Sequence, residues 1–119
     1  MSEITLYGIP NCDTVKKARR WLDEQGIAYD FHNFKKDGVP ADSLADWVET
    51  HGLEKVVNKR GTTWRKLDDD KKTLIEAGGD AALKLLADES SMIKRPVLKT
   101  PDQTLIGFLV DEWSSALKL

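Results

Sequence analysis

Apolar and polar positions change period several times along the chain, and each change marks an element. Residues 4–9, ITLYGI, alternate Ile4 and Leu6 against Thr5 and Tyr7, the period of two that predicts a short strand. PNCDT then turns the chain. From Asp13 the spacing of Val15, Ala18 and Leu22, with Trp21 beside them, gives one apolar helical stripe. Lys16, Lys17, Arg19, Arg20, Asp23 and Glu24 fill the opposite side, and Gly26 follows as a helix stop. Residues 27–34, IAYDFHNF, are rich in β-branched and aromatic side chains and predict a second strand. Strand, helix and strand in so short a span make a βαβ unit, with parallel strands and a right-handed crossover.

The middle of the chain changes character. PADSLADWVETHG sets Leu44, Trp47, Val48 and His51 on one helical face, between Pro40 near its start and Gly52 after its end. A basic, glycine-containing segment follows at 58–72, NKRGTTWRKLDDDKK. Two short helical patterns then flank Gly78-Gly79, one centred on Leu74 and Ile75, the other on Ala82, Leu83 and Leu86. None is long enough to bury its stripe alone. They therefore predict a helical insertion at about residues 39–90 within one domain spanning 1–119. Strand patterning returns at 95–110, RPVLKTPDQTLIGFLV, with Pro101 and Asp102 at turn positions between two apolar runs, the signature of a β-hairpin. Asp111 is expected to cap a last helix carrying Trp113, Ala116 and Leu117. The expected fold class is α/β, a mixed four-stranded sheet of β-α-β and β-β-α halves with helices packed on it.

Composition narrows the partners. The chain has 119 residues, 40% hydrophobic and 32% charged, with a net charge of −2, and its sequence pI is near 5.7. That balance lacks the basic excess of a nucleic-acid coat. A single cysteine forms no internal disulfide framework. No apolar run approaches the length of a membrane span, and no basic region leads into an apolar signal segment. The expectation is a cytoplasmic protein without nucleic-acid or membrane partners.

The chemistry turns on that cysteine. Cys12 stands where the first strand ends and the first helix begins, beyond the carboxyl end of a parallel strand, where open α/β sheets place their sites. Helix N–H groups there favour the thiolate, which is the nucleophile. Asn11 and the backbone around Asp13 and Thr14 could steady the sulfur. Lys16 adds positive potential one turn on, and the Asp13 carboxylate opposes it. Two readings stay open at this point: a reactive thiolate, or a buried filler that packs like a small hydrophobe. Val15 stands three positions after Cys12, so there is no CxxC and no self-resolving dithiol. Arg95 precedes Pro96, whose peptide bond can be cis and which restricts Arg95 to extended backbone. A planar guanidinium held there could face an oxyanion or carboxylate, or simply mark a strand entrance. Lys59 and Arg60 belong to a charge cluster that reads either as solvated surface or as the rim of an anionic substrate site. His32 and His51 have no partner at ligand spacing, so no metal site is expected.

ITLYGIPNCDTVKKARRWL, VVNKRGTTWRKL and SMIKRPVL, in this order, resemble the ArsC/Spx family, most closely its YffB-like branch of small reductases. The resemblance spans roughly residues 4–117 and implies a thioredoxin-like fold with a helical insertion. It implies that Cys12 is the catalytic nucleophile and Arg95 its anion-binding partner, with a cis Pro96 bringing Arg95 to the sulfur. Arsenate reductases of the family surround the oxyanion with further arginines; the matching positions here are Asn58 and Phe108. Loss of those charges weakens stabilisation of an oxyanion. The reading that remains is a glutathione-dependent thiol reductase with no tightly bound cofactor. Its mixed disulfide would be resolved by glutathione or a glutaredoxin-like thiol, and its substrate would be an oxidised small molecule or protein. Arg95 and Lys16, with Lys59 or Arg60, would hold the glutathione carboxylates, and the chain would act as a monomer. The alternatives are a glutathione- and glutaredoxin-coupled arsenate reductase and a non-catalytic Spx-like binding module.

Overall fold

The computed structural model describes residues 3–119. Along the chain run β1 (Thr5–Gly8), α1 (Asp13–Glu24), β2 (Asp30–Asn33), α2 (Phe34–Asp37), α3 (Ala41–His51), α4 (Leu53–Val56) and α5 (Thr62–Arg65). They are followed by α6 (Asp69–Ala77), α7 (Gly79–Asp88), a 3₁₀ turn (Ser90–Met92), β3 (Val97–Lys99), β4 (Thr104–Ile106) and α8 (Val110–Ala116). The chain divides into two compact units, one of residues 1–37 with 95–119 and one of residues 38–94.

The first unit is built on a sheet of order β2-β1-β3-β4. β1 pairs parallel with β2, Thr5 opposite Asp30, and antiparallel with β3, Leu6 opposite Leu98. β3 and β4 form the expected hairpin. The buried Thr100 fixes its turn by accepting the Gln103 and Asp102 N–H groups on Oγ1 at 3.1 and 3.3 Å. This β-α-β plus β-β-α arrangement is the mixed four-stranded sheet that the sequence pattern predicts and the thioredoxin-like fold that the family resemblance implies. Leu6, Ala18, Leu22, Leu98 and Trp113 form its core, each fully buried. α1 ends as its glycine requires: Gly26 takes φ 70°, while Ile27 N–H reaches Leu22 O at 3.0 Å and Gly26 N–H reaches Asp23 O at 3.1 Å. These two bonds close the left-handed helix stop.

Two local expectations are corrected. β2 spans 30–33, not 27–34. Ile27 and Tyr29 instead pack against the core cluster, and the ladder begins only where Asp30 N–H reaches Ile4 O at 2.9 Å. Asn33 ends the strand by accepting the Lys35 N–H on Oδ1 at 2.9 Å, which turns the chain into α2 at Phe34. At the far end, α8 starts at Val110 with Leu109 at the N-cap, so Asp111 does not cap it. Trp113 decides that start: its backbone N–H reaches Leu109 O at 2.9 Å and its indole N–H reaches Gly107 O at 3.0 Å. Asp111 and Glu112 lie in the first turn, where negative charge meets the positive helix end.

The second unit is helical. Leu44 and Trp47 are buried on α3, whereas Val48 and His51 are half-exposed, so its apolar stripe is narrower than predicted. Gly78 and Gly79 adopt φ 75° and 81° and separate α6 from α7. Asp68 caps α6 by accepting the Lys71 N–H at 2.8 Å. Within the basic 58–72 segment, Trp64 turns inward to 8% exposure and carries α5 with it. An isolated antiparallel bridge joins Val57 to Ile93. It is held by Asn58 N–H to Met92 O and Lys94 N–H to Val56 O, both at 2.7 Å.

Candidate functional site

β1 runs into a turn at residues 9–11, where Cys12 N–H reaches Ile9 O at 3.2 Å, and delivers Cys12 to the N-cap of α1. Gly8 makes this seat possible. A Cβ there would lie 2.8 Å from Val15 Cγ2, so only a bare Cα lets the first turn of α1 rest on the strand. The backbone of Cys12 is extended, φ −92° and ψ 127°, and its carbonyl accepts the Lys16 N–H at 2.9 Å, which starts the helix.

The sulfur is half-buried. Burial alone pushes the thiol pKa up, and this is the largest single influence. It is outweighed by the Val15 backbone N–H, by the hydrogen bond and positive charge of Arg95, and by the Thr14 backbone N–H, so the net displacement is downward. The neutral thiol closes no side-chain cap on the helix. The N–H groups of Thr14 and Val15, second and third in the helix, act instead as a dipolar cradle that gains strength as the sulfur ionises.

Arg95 is half-buried, with its Nε sealed from solvent, and is joined to the buried Pro96 by a cis peptide bond. Pro96 O in turn accepts the Gly107 N–H at 2.8 Å. Of the predicted site residues, Asn11, Cys12, Asp13, Thr14, Lys16, Arg95 and Pro96 belong to one unit, and Thr14 acts on the sulfur through its backbone. Asn11, Asp13 and Lys16 are exposed around the same turn and are not among the groups that displace the thiol pKa. The sequence reading stopped at Thr14 and missed Val15. The N-cap rule contained the signal, because the second and third helical N–H groups are the ones that face a capping atom. Phe108 packs edge-on to Trp113, centroids 4.8 Å apart, and to Trp21 at 6.0 Å, so it presents aromatic surface where the resemblance would put a cation.

Asn58, Lys59 and Arg60 belong to the 38–94 unit. Lys59 is committed there. Its Nζ lies 2.8 Å from Glu54 Oε1 and 3.7 Å from Glu76 Oε1, and it sits over the Trp64 ring at 5.3 Å. The hydrogen bond to Glu54 raises its pKa. Among the described residues no group of three or more histidine, cysteine or carboxylate side chains could hold a metal ion. No helix among them is long and apolar enough to cross a membrane.

A β-α-β/β-β-α sheet with one thiol at a helix N-terminus and an arginine beside it, preceding a cis proline, defines a thioredoxin-like protein with a single cysteine. Comparison with known proteins gives the family: the model of the ArsC family matches residues 7–116, and the chain belongs to that family. A solved YffB protein structure superposes with a TM-score of 0.86 at 47% identity, covering 96% of this chain and 98% of that one. An uncharacterised protein of Haemophilus influenzae is 41% identical over 95% of this chain and 97% of its own length. The global transcriptional regulator Spx of Streptococcus pyogenes is 29% identical over 92% of this chain and 81% of its own length.

Proposed function

We propose that the protein is a monothiol reductase in which Cys12 is the nucleophile and glutathione the electron donor. The Cys12 thiolate attacks one sulfur of an oxidised disulfide; that S–S bond breaks, a mixed disulfide forms on Cys12, and the departing thiolate takes a proton from solvent. A glutathione thiolate then attacks the Cys12 sulfur and releases the second substrate thiol, leaving Cys12 joined to glutathione. A second glutathione regenerates the Cys12 thiolate and leaves as glutathione disulfide, so two thiols are oxidised for each disulfide reduced. External resolution is required because the chain has no second cysteine.

The observation that carries this reading is the position of Cys12 between the Val15 N–H and Arg95, which favours the anionic sulfur despite partial burial. Arg95 serves as the anion-holding group, stabilising the thiolate and the charge that passes through each exchange step. Turnover of a mixed-disulfide substrate with glutathione, compared between the wild type and Cys12→Ser, tests it. The wild type turns over and the serine variant does not; equal rates refute the assignment. Arsenate reduction is the weaker reading, because Phe108 is committed to the Trp21–Trp113 aromatic cluster and supplies no charge. A docking role is suggested by the Spx relative, whose name denotes a transcriptional regulator. That role predicts a partner complex unchanged in Cys12→Ser.

A further inference from the structure

The 38–94 unit contains a surface cavity of about 390 Å³ lined by Glu54, Val57, Asn58, Lys59, Arg60 and Lys94. Its two walls are joined by the Val57–Ile93 bridge, which fixes the backbone of 57–58 on one side and of Lys94 on the other. Asn58 is held further, because Gly61 N–H reaches its carbonyl at 3.3 Å and a Cβ at Gly61 would sit 2.9 Å from its Nδ2. The frame is therefore set before any ligand arrives, which reduces the entropy lost on binding.

The charges around this frame are unequally committed. Lys59 is paired with Glu54 and Glu76. Among the described residues neither Arg60 nor Lys94 has an ion-pair partner, and both are exposed. Glu54 gives Oε1 to Lys59, and its side chain remains 85% exposed. The lining thus offers two uncommitted cations, an amide and one carboxylate. A phosphate dianion would meet the Glu54 carboxylate unfavourably. A group carrying both signs would satisfy all of them: its carboxylate faces the Arg60 fork and the Lys94 ammonium, and its ammonium faces Glu54.

We propose that this cavity binds the α-amino-carboxylate head of a small zwitterionic ligand. Arg60 and Lys94 take the carboxylate, Glu54 takes the ammonium, and Lys59 acts as a positioning residue that holds Glu54 in place. Binding there needs no sulfur chemistry, and it draws on the reading of glutathione as electron donor only for the choice of probe.

The test uses S-methylglutathione, whose γ-glutamyl end carries such a head and whose sulfur is blocked, titrated into the full chain while backbone amide shifts are followed. The expected result is saturable shifts at residues 57–60 and 94. Binding weakens about tenfold or more in each of Arg60→Ala, Lys94→Ala and Glu54→Gln, as loss of one charge-assisted hydrogen bond requires. N-acetyl-S-methylglutathione, which lacks the ammonium, loses a similar factor, and inorganic phosphate binds more weakly than the probe. Shifts that avoid these residues, variants that bind as the wild type does, or tighter binding of phosphate would overturn the proposal. Because no disulfide is exchanged, these results are independent of whether Cys12→Ser abolishes turnover.

Discussion

Replacing Gly8 by alanine places a methyl group 2.8 Å from Cγ2 and 3.3 Å from Cγ1 of Val15. Val15 is fully buried, and as a β-branched residue in a helix it has one strongly preferred rotamer, so it cannot swing aside. The strain passes to the packing of α1 on β1. Overpacking of this kind costs about 1–3 kcal/mol. The smaller conformational freedom of alanine in the unfolded chain returns about 0.4–1 kcal/mol. The net destabilisation is about 1–2 kcal/mol, and with a urea dependence of about 1–3 kcal/mol per molar the unfolding midpoint falls by roughly 0.3–2 M. Val15→Ala alone removes two buried methyl groups and costs about 2 kcal/mol. In Gly8→Ala/Val15→Ala the clash is gone while the unfolded-state gain remains, so the double variant is more stable than the two single losses predict by the clash itself, about 1–3 kcal/mol. Urea unfolding of the four proteins measures this coupling directly. Additive losses, or a Gly8→Ala variant as stable as the wild type, would refute the claim that the bare Cα of Gly8 seats the helix bearing Cys12.

Other consequences can be measured alongside it. Trp113→Phe removes the indole N–H that Gly107 O accepts and also shrinks the fully buried side chain; unfolding should show a loss of about 2–4 kcal/mol. Asp68→Ala removes the cap on α6 and should cost about 1 kcal/mol, with faster amide exchange at Lys71 as the local sign. Stability should also depend on pH through Cys12. Because its pKa is lower in the folded chain, the unfolded chain binds more protons between the two values, and stability gained relative to Cys12→Ser rises with pH across that interval. The gain is complete above the unfolded thiol value and is lost as pH falls through the folded one. A difference between the two proteins that stays flat from acid to alkaline pH would contradict the direction of the shift.

The parts of the fold that were legible in the sequence are those where one local rule decides. The stripe Val15, Ala18, Leu22 and the glycine stop at Gly26 give α1 because periodicity and a left-handed terminus are both local. The hairpin at Pro101 is local for the same reason. The sequence pattern overextends β2 because Ile27 and Tyr29 are as apolar as strand residues, and the ladder partner that distinguishes packing from pairing is invisible in one sequence. Asp111 has the residue type of a cap, but the bonds from Trp113 to Leu109 and Gly107 set the helix start upstream of it. α5 escaped notice because four residues show no period, and the inward turn of Trp64 depends on tertiary packing. At the site, the helix-terminal place of Cys12 could be read from NCDT, whereas its contact with Arg95 joins residues far apart in the chain. Spacing alone does not yield that contact; the family resemblance supplied it. Nor did charge patterning reveal that Lys59 is bound up with Glu54 and Glu76 while Lys94 faces a cavity.

The account depends most on the state of one sulfur atom, and the rate of Cys12 alkylation against pH measures it. In the wild type the midpoint should fall below the ordinary thiol value of about 8.5, and Arg95→Ala should move it upward. A midpoint at or above that value, unmoved when Arg95 is removed, would contradict a thiolate held by α1 and Arg95.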